Sequence, residues 1–236
     1  MTQVENGLHF RHGIQNMQAV DMEWEIPLPA PLKQASEPLP GLVIQRDWSI
    51  VQKAWWDAVL QMHAQPSVVR VALELRIMGG SNVILSPQLG NTLGTCSIEV
   101  LSTFNTPTAT WAAFCQTLTD KWISYKDPST GKPLNSRPHW CKEWSFLMLP
   151  NASGKKVKAV EWIRSVGYRN EIPLFLDTVK KIGEKDGYTV EEARATFVNK
   201  FLDAVFFGGP IPDDPVEFPD NINRSWFRSL LKNLGC

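Results

Sequence analysis

The sequence predicts an α+β fold, an antiparallel β-sheet covered by α-helices, and three observations carry that expectation. Apolar and polar residues alternate with a period of two at 20–26, 73–77 and 97–101, as strands with one buried face do. Between and after these stretches, apolar residues recur at three- and four-residue spacing, which gives each helix a single apolar stripe. A chain of 236 residues is long enough to bury one full core, and sheet and stripes have to cover each other to do so.

In chain order, 1–16 has no period and reads as an arm. In 20–26, Val20, Met22, Trp24 and Ile26 fall on one side of a strand. Asp21, Glu23 and Glu25 fall on the other, a face expected to be solvated. Five prolines between 27 and 40 remove backbone donors and predict a loop, long enough to serve as a lid. Asp47 can accept from the first amides of a helix whose stripe is Ile50, Val51, Ala54, Trp55, Ala58, Val59 and Met62, ending before Pro66. A strand over 68–78 follows, Gly79-Gly80 breaks it, and 82–85 is expected to open another.

In that strand Glu74 and Arg76 share the face opposite Leu73, Leu75 and Ile77. In 97–101, Glu99 lies opposite Ile98 and Val100, so it can join Glu74 and Arg76 across one sheet surface. Thr108 or Thr110 caps a helix with the face Trp111, Phe114, Cys115, Leu118 and Trp122. A turn cluster at 127–133 then delivers the chain to Arg137-Pro138-His139-Trp140-Cys141-Lys142-Glu143-Trp144. Beyond Gly154 the pattern is helical: Val157, Val160 and Ile163 form one stripe, and Phe175, Val179 and Ile182 another. Thr189 and Glu192 have capping-box spacing ahead of a face of Val190, Ala193, Phe197, Phe201 and Val205, which Gly208-Gly209-Pro210 ends. Trp226, Phe227, Leu230 and Leu231 suggest a short docking helix. The expected organisation is an arm at 1–16, one domain at 17–207 and a docked tail at 208–236.

Composition narrows the function. Lys plus Arg equals Asp plus Glu at 24 each, so no general attraction to nucleic acid or anionic lipid is expected. The Lys155, Lys156 and Lys158 run reads as a solvated loop. Four scattered cysteines and no clustered histidines give neither a zinc site nor a disulfide framework. With no apolar run of membrane-spanning length, the expectation is a reduced, soluble, cytoplasmic protein without a membrane or nucleic-acid partner. Ten tryptophans and eleven phenylalanines mostly fill the core, leaving a few to line a cavity.

The Glu74-Leu75-Arg76 strand with the following Met-Gly-Gly-Ser, then Ile84-Leu85-Ser86-Pro87, then Arg137-Pro138-His139-Trp140 with Lys142, resembles the aldonolactone and alditol oxidases of the vanillyl-alcohol-oxidase flavoprotein superfamily. The resemblance spans roughly 20–207 and implies the cap or substrate domain of such an enzyme, of the D-arabinono-1,4-lactone oxidase type. That family's flavin-binding domain has no counterpart in these residues. The resemblance implies that Arg76 polarises a substrate oxygen, that Glu74 accepts a proton or orients Arg76, and that Lys142 offsets the charge of reduced FAD. His139 and Trp140 would wall the site, and Glu99 would face substrate. Without the resemblance, Glu74 and Arg76 make an ordinary surface ion pair, Lys142 is solvated, His139 is a packed histidine as readily as a catalytic one, and Glu143 is exposed.

Three functions stay open. The first is a substrate module that oxidises a hydroxyl-bearing carbon of a sugar lactone or polyol, with FAD supplied by a partner chain. The second is a flavin-free isomerase or cyclase of an apolar metabolite, built from the cap alone with Glu74, Arg76, His139 or Lys142. The third is a non-catalytic subunit or binding protein, or a homo-oligomer, using an apolar face.

Overall fold

The computed structural model describes residues 19–31 and 46–211; the 1–16 arm, the later prolines of the 27–40 loop and the tail beyond 211 lie outside them. The fold is α+β. Four antiparallel strands form a sheet in the order β2-β3-β1-β4, where β1 is Ala19–Pro27, β2 Ala72–Met78, β3 Thr95–Thr103 and β4 Arg137–Pro138. The two long strands pair along their whole length, from Ala19 opposite Thr103 to Pro27 opposite Thr95.

The alternation read from the sequence sets the core face. Met22, Trp24 and Ile26 of β1 and Cys96, Ile98 and Val100 of β3 have no exposed surface, and Leu73 and Leu75 pack beside them from β2. Helices α1 (Ser49–Ala64) and α2 (Thr108–Trp122) cover this face. Ala54 and Ala58 let α1 come close: the Trp122 indole donates to the Ala54 carbonyl at 3.3 Å, and Thr119 on α2 donates to the Met22 sulfur at 3.3 Å. The α2 stripe of Trp111, Phe114, Cys115, Leu118 and Trp122 is buried throughout. Asp47 accepts from the Ser49 amide at 2.9 Å just before α1. Neither expected threonine caps α2; the backbone enters at Pro107, whose carbonyl accepts from Trp111 at 2.9 Å.

Three local readings are corrected. Residues 82–85 form no strand, because Ser81 and Ser86 accept through their hydroxyls from the amides of Val83 and Gln88 and fold the segment into turns. Val157 is buried as expected but belongs to β6 (Lys156–Lys158), which pairs with β5 (Met148–Pro150); Lys156 is tied to Asp120 at 2.7 Å. Helix α3 (Ala159–Trp162) runs on as a π-helical turn, Ile163–Gly167, and Ile163 completes the buried stripe. A Cβ at Gly167 would sit 2.6 Å from the Trp162 ring, which is why a glycine ends that turn.

Helix α4 (Glu171–Asp186) buries Ile172 and Gly183, while Ile182 is 46% exposed. The Thr189–Glu192 capping box forms in full, opening α5 (Val190–Phe197). The long helix expected to follow it is interrupted, leaving Phe197 79% exposed. Asn199 accepts from the Leu202 amide at 2.8 Å and starts a new turn, α6 (Lys200–Leu202), continued by a π turn over Asp203–Phe207 that Gly208 ends at φ 75°. Arg194 holds the two pieces together through Asp203 at 2.6 Å. Thr189→Ala removes one cap acceptor and is expected to cost about 1 kcal/mol, read as a small fall in the urea midpoint.

Candidate functional site

Register places the charged residues. Glu74, Glu99 and Glu23 stand directly opposite one another across β2, β3 and β1, and in the adjacent row Arg76, Ser97, Glu25 and Arg137 stand abreast across all four strands. Paired residues in an antiparallel sheet leave the same face, at strand spacings of about 4.8 Å. Three carboxylates in one row repel each other unless cations come between them, and two do.

Arg76 Nη2 reaches Glu23 at 2.7 Å and Glu99 at 2.6 Å, while its Nη1 lies 3.6 Å from Glu74. Lys142 Nζ reaches Glu99 and Asp21, each at 2.7 Å. Glu99 therefore bridges the two cations, one carboxylate oxygen to each. Lys142 arrives there because its segment is stitched onto β1: the His139 amide donates to the Glu23 carbonyl and the Glu143 amide to the Asp21 carbonyl, both at 3.0 Å. Ser97 gives its hydroxyl to Glu23. The sequence-predicted residues Glu74, Arg76, Glu99 and Lys142 thus meet in one cluster.

His139 and Trp140 contribute differently. The His139 imidazole accepts from the Cys141 amide at 3.3 Å, a local turn contact. The Trp140 indole donates to the Leu85 carbonyl at 2.6 Å, tying the 81–91 turns over the charged face, and its ring lies 4.9 Å from that of Tyr168. Cys141 is exposed, whereas Cys96 and Cys115 are buried and burial raises both thiols, Cys96 to about 12.

The expectation of a solvated acidic face on β1 is corrected: Glu23 is 3% exposed and Glu25 not at all, because the strand is covered on both sides. A buried acidic face demands cations from elsewhere in the chain, and Arg76 and Lys142 supply them. Glu143 is also not the exposed residue expected. It is half-buried, accepts from the Trp111 indole at 3.1 Å, and burial, together with the charge of Asp21, raises its carboxyl to about 7.

Electrostatics divides the acids. Burial pushes Glu99 up, but the hydrogen bonds and charges of Lys142 and Arg76 outweigh it and hold the carboxyl below the usual range. For Asp21 burial wins over Lys142, with Glu99 adding to it, and the carboxyl is raised. Lys142 is raised, its two carboxylates overcoming burial. Burial first, then the charge of Glu23, takes Glu25 to about 7. Among the described residues Asp21, Glu23, Glu74 and Glu99 pair only with Arg76 and Lys142, so the cluster is anionic. Its outer rim is open: the side chains of Glu74 and Arg76 are 48% and 46% exposed.

No group of His, Cys, Asp and Glu among the described residues is arranged to hold a metal ion. No described helix is long and apolar enough to cross a membrane. An open groove of about 460 Å³ between α5 and α6, bordered by Glu191, Arg194, Val198 and Asp203, includes no residue of the cluster. No family model, curated protein or solved structure matches this chain. The resemblance to the aldonolactone and alditol oxidases rests on the residues quoted for it.

Proposed function

We propose that the charged sheet face is the site of a cofactor-independent enzyme that binds a small hydroxyl-bearing molecule at the Glu74–Arg76 rim and isomerises or cyclises it by proton transfer. The observation that carries this reading is the excess of carboxylates over cations in the cluster, four against two, with Lys142 held between Asp21 and Glu99. A lysine neutralised by two acids is poorly suited to offsetting the negative charge of a reduced flavin, whereas an anionic, partly dry surface accepts hydroxyl donors and favours proton transfer. Arg76 and Glu74 contact the substrate's oxygens, Glu99 orients Arg76, and Lys142 positions Glu99.

A second reading keeps the flavin. Glu74, Arg76 and Lys142, the three residues that the oxidase resemblance implies, do converge, and a partner chain supplying FAD would make the same face a substrate site for oxidation of a sugar lactone or polyol. One titration separates the two. Binding of xylitol and of a five-membered sugar lactone is followed by calorimetry with and without FAD. The first reading expects binding that FAD leaves unchanged and that Arg76→Gln weakens by about tenfold, the loss of one charged hydrogen bond. Tight FAD uptake with a flavin absorption band sends the assignment to the second reading, and equal affinities of wild type and Arg76→Gln remove Arg76 from both.

A further inference from the structure

Two strands away from the rim lies a group of buried polar atoms that the cluster leaves unused. Glu25 has no exposed surface, and neither of its carboxyl oxygens makes a well-formed hydrogen bond among the described residues: Gln88 and Ser97 stand near enough to draw its carboxyl down, but Ser97 gives its hydroxyl to Glu23. Arg137 stands directly opposite Glu25 in the β1–β4 register, is 4% exposed, and uses Nη2 on Glu171 at 2.5 Å while Nε and Nη1 have no acceptor among the described residues. The Arg137 guanidinium carbon lies 4.4 Å from the centre of the Tyr168 ring. Tyr168 is fully buried, and among the described residues its hydroxyl makes no well-formed hydrogen bond, the neighbouring Trp140 indole donating to Leu85. An acid and a guanidinium facing each other across adjacent strands normally form an ion pair. Among the described residues no ion pair joins them, and their donors and acceptors make no well-formed bond to one another. Buried polar atoms in that state call for a third body between them.

We propose that Glu25, Arg137 and Tyr168 are the proton-transfer centre for the reading above, on which this inference rests, and that the substrate is a neutral α-hydroxycarbonyl compound. Arg137 and Tyr168 offer N–H and O–H donors to a carbonyl oxygen, and Glu25 offers a carboxylate to the adjacent carbon. Neutral substrates are selected because Glu23 and Glu171 already offset Arg76 and Arg137, and an added anion would face the Glu25 carboxylate. With its carboxyl raised to about 7, Glu25 takes and returns a proton at neutral pH. The rim at Arg76 stands two strand spacings from Glu25, about 10 Å, the reach of a substrate of several carbons.

The step balances without a co-reactant. Glu25 as carboxylate removes the proton from the hydroxyl-bearing carbon; the C–H electron pair becomes the new C=C bond and the carbonyl π pair moves to oxygen, where Arg137 and Tyr168 donate. Glu25 then delivers its proton to the former carbonyl carbon. The other hydroxyl gives its proton through the Tyr168 hydroxyl to the first oxygen and becomes the new carbonyl. Substrate and product are isomers.

The test uses the full chain in D₂O at neutral pH with dihydroxyacetone and hydroxyacetone as probes, reading by proton NMR the exchange of carbon-bound hydrogen beside the carbonyl. Wild type is expected to exchange well above a buffer blank. Glu25→Gln is expected to lower the rate by about a thousandfold and Tyr168→Phe by about a hundredfold. Glu25→Gln keeps the side chain's size and Tyr168→Phe removes one hydroxyl, and a thermal melt confirms that both variants stay folded. Exchange that survives Glu25→Gln overturns the proposal, and so does wild-type protein that exchanges neither probe. In the latter case, Arg76-dependent binding of the same probes leaves the rim reading standing and removes this centre alone, whereas no binding removes both.

Discussion

Lys142→Met should lose about 2 kcal/mol of stability at pH 7 and less at pH 4, measured as the difference in urea midpoints at the two pH values. The ammonium holds Asp21 and Glu99 at 2.7 Å each, and without it two carboxylates face each other with Arg76 left to serve Glu99. Breaking a buried pair from one side costs about 3–5 kcal/mol, and the partial exposure of Lys142 and Asp21 brings the expectation below that. Glu99 is held below its ordinary value of 4.5, so its contribution is fully present above that pH and is lost as pH falls through the lowered value; this is the contribution the variant forfeits. Asp21, already raised from 3.8, is raised further once Lys142 is gone, which lowers stability as pH rises. Both effects act in one direction. Methionine keeps much of the apolar stem, so an equal loss at the two pH values would assign Lys142 a packing role and dissolve the cluster as an electrostatic unit.

Much of the fold was legible because alternation reports directly on a buried face. Met22, Trp24 and Ile26, and equally Ile98 and Val100, were assignable to the core from spacing alone, and the α2 stripe was readable in full. Spacing cannot say whether the opposite face is wet. Glu23, Glu25 and Glu99 follow the same alternation as a solvated edge would, yet all three are buried, because the 81–91 turns and the segment from His139 to Tyr168 close over them. The partners of Arg76 are 23 and 53 residues away, and those of Lys142 are 43 and 121 away. Such pairings depend on strand register, which no local pattern encodes. Where local chemistry decided the outcome, it did so through short polar side chains. Ser81 and Ser86 turned a would-be strand into turns, and Asn199 divided a would-be helix.

Glu25 joins stability to function with a sign that can be measured. Its carboxyl stands at about 7 in the folded chain against an ordinary 4.5, so its relative stabilisation is fully present below about 4.5 and is lost as pH rises through 7. The causes are burial first and Glu23 second. Gln88, Arg76 on β2 and Ser97 on β3 pull the other way, and Arg137, paired with Glu171, and Tyr168 stand on its remaining sides. A shift of that size is worth up to about 3 kcal/mol above pH 8. Glu25→Gln removes the titration, so the variant is expected to match wild type near pH 4.5 and to exceed it by as much as about 3 kcal/mol at pH 8, read from urea unfolding at both pH values. Glu143 titrates in the same window with the same sign but is present in both proteins, so the difference between them isolates Glu25. A residue whose removal stabilises the fold is retained for something other than stability, and with the exchange assay the same substitution is expected to raise the melting point while abolishing turnover. If Glu25→Gln is instead less stable than wild type at every pH, the carboxyl has a bonding partner in solution, and the unpaired acid on which the proton-transfer centre depends does not exist.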